Sequence, residues 1–304
     1  TQQRFNLPAL ATKDGRVLIR VRKGIYGLPQ AGRLAQTKLF KHLASHGYHE
    51  ARNTPCLFLH DTRDISFTLV VDDFGVGWSL QADFDHLQAT LEELYEIKID
   101  HTGSKYLGIT IKWNYTPGDR WVRLSMPGYI SSALAKYGTV AATKPTNNPG
   151  IHVPPKYGGS VQLSEQDQSP LLNPARKLRV QGIVGTILYY GRMIDCTLLA
   201  AVGQLSSRQV HATADTEARA EHLLQYAATW PNAAITYYPS DMVYRFHSDA
   251  SYLSEPKARS RAAGLHYLTN KGDNPPINGP IQVVSQTLDV VVSSSCEAEY
   301  GTLY

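Results

Sequence analysis

Two adjacent carboxylates, Asp72 and Asp73, follow the apolar stretch Phe67 to Val71 and are followed at once by Phe-Gly. The apolar stretch predicts a strand, so the two acids stand where that strand turns. Like charges beside an apolar flank repel each other unless a divalent cation neutralises them. The pattern therefore indicates a metal-binding pair or, as the alternative, a hairpin turn with two solvated aspartates.

The composition is that of a soluble globular protein with room for about two domains, since the 304 residues are 42% apolar and 18% charged. No apolar run is long enough to span a membrane, and the N-terminus has no secretory pattern. The cysteines Cys56, Cys196 and Cys296 are far apart, which predicts reduced, buried thiols. Because the chain lacks an initial Met and stops within a predicted helix, we expect it to be part of a longer protein.

Basic residues are concentrated near the N-terminus, although the net charge of the chain is only +4. Eight Lys or Arg residues lie between Lys13 and Lys41, against the single acid Asp14. Such clustering suits a phosphate backbone or a triphosphate, and a solvated basic face is the alternative.

Hydrophobic periodicity predicts strands and helices in alternation, with a Pro-, Asn-, Gly- and Ser-rich linker from about residue 139 to 174. The predicted strands are 17–21, 65–71, a hairpin of 106–113 with 121–125, and 242–246, 262–269 and 281–286. The predicted helices are 31–46, 83–97, 174–193, 197–209, 216–229 and one that begins near Ser294.

The segment Lys23 to Arg33 joins a basic strand to a helix through Gly27, Pro29 and Gly32, and helix N-termini favour phosphate. This segment, the Asp72-Asp73 box and Tyr106-Leu-Gly-Ile109 follow one another in the order of three blocks of one family. The chain resembles the reverse transcriptase of copia-type (Pseudoviridae-like) retrotransposon polyproteins, which carries YGLKQAPR-like, YVDD and YLGI blocks.

The resemblance implies a role for each matching residue. Asp72 would be the first metal-ligating Asp and Asp73 its partner, Gln30 would lie against the incoming nucleotide near Arg22 and Lys23, and Leu107 and Gly108 would position the primer in a primer-grip hairpin. The box departs from the family at Val70, where Tyr is usual. For Tyr106 to Ile109, a core strand with a permissive glycine is the alternative.

Two further blocks lie near the C-terminus, Phe246-His-Ser-Asp-Ala-Ser251 and Ser293-Ser-Ser-Cys-Glu-Ala-Glu-Tyr300. A strand Asp and acids in the first turns of a helix are commonly a turn ligand and helix-dipole complements. Together they resemble the SDAD-like and SSTEAEY-like blocks of the ribonuclease H domain of copia-type elements. In that comparison Asp249 and Glu299 would bind metal, and Glu297 would be the neighbour of Glu299.

The resemblance implies an α+β chain, with a partial right-hand polymerase of fingers, palm and thumb, a helical connection and a truncated ribonuclease-H-like α/β domain. The expected divisions are 1–138 for fingers, palm and primer grip, 139–175 for the linker, 176–240 for thumb and connection, and 241–304 for the nuclease part. The activity implied is RNA-directed DNA polymerase with ribonuclease H, dependent on Mg²⁺ or Mn²⁺. The polymerase set is incomplete, because Asp14 is the only acid before Glu50, and the nuclease set is incomplete, because two of its four acids would lie past Tyr304. We therefore expect this chain alone to be weak or inactive in both reactions.

The expected partners are an RNA or DNA template-primer, dNTPs and the remaining polyprotein with its integrase, protease and capsid, without a membrane. The expected location is intracellular, in a cytoplasmic particle and the nucleus. One alternative is a non-catalytic nucleic-acid-binding remnant of a decayed element, which would bind through residues 13–41. A third hypothesis is a stand-alone nuclease of the ribonuclease H type.

Overall fold

The computed structural model describes residues 11–17, 27–151 and 167–303. The chain forms two compact units, residues 1–99 and residues 100–304. Most of the strand predicted at 17–21 lies outside the described residues. Within the described ranges, none of the helices combines the length and the apolar character of a membrane span.

The first unit consists of a four-stranded antiparallel sheet and two helices. Its helices are α1 (Pro29–Ser45) and α2 (Gln81–Glu92). Its strands, in sheet order, are β1 (Tyr48–Glu50), β2 (Leu57–His60), β3 (Ile65–Val70) and β4 (Asp73–Trp78). Neighbouring strands in the sequence are therefore neighbours in the sheet, as in a meander.

One face of this sheet and the apolar sides of both helices form the core of the first unit. Buried side chains come from α1 with Leu39 and Leu43, from α2 with Leu87 and Leu91, and from β3 with Phe67. In β3 the buried positions alternate with half-buried ones, as a strand covered on one face requires. The core thus fixes α1, α2 and the β3–β4 hairpin relative to one another within this unit.

The second unit begins with a short hairpin and continues into helices. Strands β5 (Lys105–Tyr106), β6 (Ile109–Asn114) and β7 (Trp121–Ser125) precede the helices α3 (Tyr129–Tyr137), α4 (Pro174–Met193), α5 (Leu199–Arg208) and α6 (Ala214–Thr229). Strand β8 (Ala234–Tyr237) then pairs with β7, so that the sheet order is β5-β6-β7-β8. The four helices and this sheet share one hydrophobic core.

A second sheet of this unit lies toward the C-terminus. Strands β9 (Val243–Glu255), β10 (Arg259–Thr269) and β11 (Pro280–Thr287) are antiparallel, with β10 in the centre, and helix α7 (Ser295–Gly301) follows. The buried residues Ala262, Leu288, Val292 and Ala298 form a small core between β10, the segment after β11 and α7.

Several expectations are corrected. Helix α2 ends at Glu92 rather than Ile97, because Ile97 packs against the core from an irregular segment. The helix predicted at 197–209 is α5 with a short 3₁₀ turn at each end, Cys196–Leu198 and Gln209–His211. The cysteines are free thiols, but Cys56 and Cys296 are exposed rather than buried, since both lie at turns or helix starts.

The predicted linker is irregular where the structure describes it. Residues 139–151 contain no helix or strand and run along α6, with hydrogen bonds between Ala142 N and Gln225 Oε1 and between Thr146 N and Thr229 Oγ1. The mixture of helices and antiparallel sheets agrees with the predicted α+β class. The divisions at residues 138, 175 and 240 stay predictions.

Candidate functional site: two carboxylate pairs

Asp72 and Asp73 lie at the tip of the β3–β4 hairpin. Val70 pairs with Asp73 across the ladder, so that Val71 and Asp72 form a two-residue turn. Val71 has a φ of 59° and is 90% exposed. A β-branched residue in the left-handed region is strained, and an exposed valine at a turn gains little from burial. The hairpin tip therefore has a conformation that local propensity alone does not favour.

Both carboxylates of the hairpin tip are exposed. Within the described part of the chain, no side chain or backbone N–H donates a hydrogen bond to either of them, and no cation pairs with them. The strand prediction ahead of the acids is confirmed, and so is their position at a turn. The structure thus presents two adjacent, uncompensated oxygen ligands at one edge of the sheet of the first unit.

The predicted nucleotide-binding residues are only partly described. Gln30 is the second residue of α1 and is exposed in the first turn, where backbone N–H groups have no partner within a helix. Arg22 and Lys23 lie outside the described residues. In the described residues, no hydrogen bond joins Gln30 to Asp72 or Asp73.

Leu107 and Gly108 form the tight turn between β5 and β6, in the second unit. Tyr106 pairs with Ile109, and the two residues between them have φ values of 51° and 78°. Two consecutive positive φ values define a type I′ hairpin turn. The alternative of a core strand with a permissive glycine is therefore wrong.

The Leu107-Gly108 turn is held from helix α4. The hydroxyl of Tyr189 donates a hydrogen bond to the carbonyl oxygen of Leu107. Sequence reasoning missed this role of Tyr189, because the helical periodicity of α4 assigns its apolar residues only to packing. An aromatic hydroxyl on the exposed side of a helix was the one available signal.

Glu299 contacts the strand that carries Asp249, in the second unit. Asp249 lies on the edge strand β9, opposite Ala263 of β10, and Glu299 lies on α7. The Glu299 Oε1 atom accepts a hydrogen bond of 3.3 Å from the backbone N–H of Ala250, the residue next to Asp249. Both carboxylates are exposed. The structure therefore places the two acids, 50 positions apart in the sequence, at one edge of the sheet.

Glu297 has a different role from Glu299. The Ser294 side chain caps α7 by accepting from Glu297 N, while Glu297 Oε2 accepts from both N and Oγ of Ser293. These hydrogen bonds lower the pKa of the Glu297 carboxyl, because they stabilise its charged form. The carboxylate is therefore used in ordering the start of the helix.

The donor chemistry of both carboxylate pairs fits Mg²⁺ or Mn²⁺. These hard cations prefer oxygen ligands, and Mg²⁺ commonly binds through one or two carboxylates while it keeps several waters. Within residues 11–17, 27–151 and 167–303, neither pair has a third His, Cys, Asp or Glu ligand atom close enough to complete a three-residue site.

Comparison with known proteins shows which proteins the chain is similar to. No family model matches the chain. It is 27% identical over 301 residues, or 97% of its length, to the retrovirus-related Pol polyprotein from transposon RE1 of Arabidopsis thaliana. It is 23% identical over 273 residues, or 84% of its length, to the transposon Ty1-ER2 Gag-Pol polyprotein of Saccharomyces cerevisiae. The chain is homologous to Ty1/copia-type retrotransposon polyproteins.

A further relative extends this family to a third host. The retrovirus-related Pol polyprotein from transposon TNT 1-94 of Nicotiana tabacum is 22% identical over 290 residues, or 93% of the chain. The chain spans only 19% of the RE1 polyprotein, 15% of the Ty1-ER2 polyprotein and 21% of the TNT 1-94 polyprotein. The chain therefore aligns with one region of these much longer polyproteins.

Proposed function

We propose that this chain is the part of a copia-type polyprotein that contributes to RNA-directed DNA polymerase and ribonuclease H activities. The observation that carries the proposal is the β3–β4 hairpin tip, where Asp72 and Asp73 are exposed and uncompensated within the described residues. Two exposed carboxylates at a hairpin tip can bind a divalent cation beside a long nucleic-acid ligand, because both are accessible among the described residues.

In the polymerase reaction, the hairpin would hold Asp72 and Asp73 in a fixed relation to each other. Bound Mg²⁺ would supply activation of the primer 3′ hydroxyl and charge neutralisation on the triphosphate. Gln30, together with Arg22 and Lys23, would contact the incoming nucleotide. The Leu107-Gly108 turn would present backbone groups to the primer, and the hydrogen bond from Tyr189 would keep that turn in place.

In the nuclease reaction, Asp249 and Glu299 would bind the metal at the edge of β9. The hydrogen bond between Ala250 N and Glu299 Oε1 supports this assignment, because it directs the Glu299 carboxylate to the strand that carries Asp249. The capping bonds of Glu297 argue against Glu297 as the second ligand.

Each pair supplies only part of a two-metal site. Two divalent cations held a few ångströms apart need more carboxylates than one pair provides, and no third ligand of the described residues joins either pair. We therefore propose that the 304-residue chain alone has little or no activity in either reaction. Mg²⁺-dependent primer extension that disappears in Asp72→Asn would contradict this part of the proposal.

The test is a calorimetric titration of Mn²⁺ into the full chain, with Asp72→Asn and Asp249→Asn as site variants. Each variant should lose one of two binding events and keep the other. The matched controls are Asp85→Asn and Asp289→Asn, which remove exposed carboxylates elsewhere in the same units. If the wild-type chain binds no Mn²⁺, or if the controls change binding as much as the site variants, the proposed metal-binding roles are wrong.

Nucleic-acid binding without catalysis is the second candidate function. It is favoured by the exposure of Arg33, Lys38 and Lys41 on α1, and of Lys13 and Arg16 before it. Binding of a labelled template-primer would then weaken steeply with salt and would be unchanged in Asp72→Asn and Asp249→Asn. If template-primer binding requires Mn²⁺ and Asp72, the catalytic assignment is favoured instead.

A further inference from the structure

Two helix ends of the first unit converge on a group of nitrogen and oxygen ligands away from the hairpin tip. His42 lies in the last turn of α1, His46 caps the end of that helix, and Glu93 caps the end of α2. One ligand atom from each of the three side chains lies within 4.8 Å of the other two. We propose that His42, His46 and Glu93 form a Zn²⁺ site.

The distances within this group suit a shared ion. Glu93 directs Oε2 to His42 Nε2 at 3.6 Å and Oε1 to His46 Nε2 at 3.4 Å. Both separations are long for a direct hydrogen bond. Two ligands bound to one tetrahedral Zn²⁺ at its usual bond lengths are about 3.4 Å apart. A cation between the three side chains would therefore keep His46 and Glu93 near their present positions, whereas His42 has to give up its hydrogen bond to Thr90.

The hydrogen bonds around His46 fix the ring in the form that binds a metal. The carbonyl oxygen of His42 lies 3.0 Å from His46 Nδ1, so that this nitrogen carries the proton and donates it. Nε2, which faces Glu93, is then left with a free lone pair. A backbone carbonyl that accepts from the second ring nitrogen is the usual outer partner of a metal-binding histidine.

His42 supplies the second nitrogen ligand after a change of tautomer. In the metal-free chain, His42 Nε2–H donates to the carbonyl oxygen of Thr90 at 2.7 Å. When Zn²⁺ binds, the proton is carried by Nδ1 instead, and Nε2 turns its lone pair to the ion. The Thr90 oxygen or a water then takes the fourth position.

The electrostatic environment favours a cation at this point. Both α1 and α2 end here, and each helix C-terminus carries a partial negative charge from its unpaired carbonyl groups. The side chains of His42 and His46 are largely shielded from solvent, with 14% and 28% exposed. Leu43 of α1 and Leu87 of α2 pack into one core, which holds the two helices in place. Bound Zn²⁺ would thus cross-link α1 to α2.

The test is a titration of ZnCl₂ into the metal-free 304-residue chain, followed by calorimetry and by thermal unfolding. One Zn²⁺ per chain should bind at this site, in a binding event that Asp72→Asn and Asp249→Asn leave unchanged, and it should raise the unfolding temperature. The ligand variants are His42→Gln, His46→Gln and Glu93→Gln. Since loss of even an outer partner of a metal ligand weakens binding by about tenfold or more, each ligand variant should weaken it at least that much.

Two controls separate this site from adventitious binding. His49→Gln removes an exposed histidine that pairs with Asp61 at 3.0 Å outside the group, and it should leave the Zn²⁺ affinity unchanged. Cys56→Ser removes an exposed thiol of the same unit and should also have no effect. Absence of binding, binding that persists in both histidine ligand variants, or binding that is lost with Cys56 would overturn the proposal.

The Glu93 variant guards against a folding artefact. Its side chain is 57% exposed, so Glu93→Gln leaves the core intact and should retain the circular dichroism spectrum of the wild type. Zn²⁺ affinity that is unchanged in a folded Glu93→Gln chain would show that the two histidines meet the carboxylate only as an ion pair.

Discussion

At the scale of single residues, two glutamates only two positions apart have different hydrogen-bond partners and therefore different roles. Glu297 is used by the N-terminus of α7, whereas Glu299 reaches the strand that carries Asp249. The sequence contains both acids in the same block, and only the resemblance to a family favoured Glu299. The hydrogen-bond partners distinguish the two acids, because the Glu297 carboxylate accepts two bonds from Ser293, whereas the Glu299 carboxylate accepts one from Ala250 of β9.

Glu297→Gln should lower the stability of the folded chain at pH 7. It should also make that stability less sensitive to acidic pH. The folded-state pKa of Glu297 is lowered, so its contribution is present above the ordinary glutamate value of 4.5 and is lost as the pH falls through the lowered value. Thermal unfolding at pH 7 and at pH 3 should show a difference from wild type that shrinks in acid. Glu299→Gln is the matched control, and it should weaken Mn²⁺ binding with little change in stability. If Glu297→Gln were less stable than wild type by the same amount at both pH values, the proposed role of the Glu297 carboxylate in stabilising the start of α7 would be wrong.

At the scale of elements, long periodic segments were predictable and short non-local ones were not. Helix α4 has the predicted bounds of 174–193, because Asn173 caps it and a regular apolar pattern fills it. Helix α3 was not predicted, since its nine residues between Gly128 and Gly138 give fewer than three turns of periodicity. Strand β9 continues to Glu255, well past the predicted end at Phe246, because pairing with β10 supports a polar stretch that periodicity does not mark.

The candidate sites follow the same rule. Asp72 and Asp73 could be placed at a turn because an apolar strand precedes them directly. The contact between Glu299 and the backbone of β9 could not be derived, since it depends on how α7 packs against a sheet. The same holds for the meeting of His42 and His46 with Glu93, which depends on the packing of α1 against α2.

The turn between β5 and β6 shows how much the conformation of one residue contributes to the free energy of unfolding. Gly108→Ala should destabilise the chain by about 1 kcal/mol, because Gly108 has a φ of 78° that an L-residue adopts only with strain. Gly185→Ala is the matched change, in an exposed position of α4 with open space around it. It should stabilise the chain by roughly 0.5–1 kcal/mol. Urea denaturation measures both, and equal effects of one sign would show that the turn is not strained.

A buried ion pair joins the C-terminal sheet to helix α5. Arg261 Nε donates to Glu255 Oε1 at 2.7 Å, with side chains only 8% and 3% exposed, and Gln204 of α5 donates to the same oxygen. Arg261→Met leaves a buried carboxylate unpaired and should cost about 3–5 kcal/mol. The double variant Arg261→Met with Glu255→Leu should recover most of the lost stability, as measured by urea denaturation. If the double variant is as unstable as the single one, packing rather than charge is responsible.

At the scale of the whole molecule, each unit has its own hydrophobic core. The first unit is centred on residues such as Leu43 and Phe67, and the second on residues such as Ile183 and Leu223. The sheet of the second unit begins at Lys105 and is completed by β8. A chain cut near residue 100 would therefore keep all the paired strands of the second unit on one polypeptide.

A chain of residues 100–304 should consequently fold without the first unit. Its circular dichroism spectrum should contain helix and sheet, and its thermal unfolding should be cooperative. A chain of residues 129–304 is the control, because it lacks β5, β6 and β7 and leaves β8 without a partner. It should be less stable or aggregate. Loss of cooperative unfolding in the 100–304 chain would show that the second unit depends on residues before Asp100.

The pairing of β7 with β8 has a consequence for synthesis on the ribosome. Ser125 is paired with Ala234, more than a hundred residues later in the chain. At ordinary translation rates the partner strand emerges on the order of ten seconds after β7. During that interval, one edge of β7 has unpaired backbone groups. The β7 strand of a second nascent chain on the same messenger RNA has the same free edge, so the two strands could pair with each other. Slowly translated codons between the two strands would lengthen this interval. Early packing of α3 to α6 against the sheet would let β8 pair with β7 sooner after its synthesis.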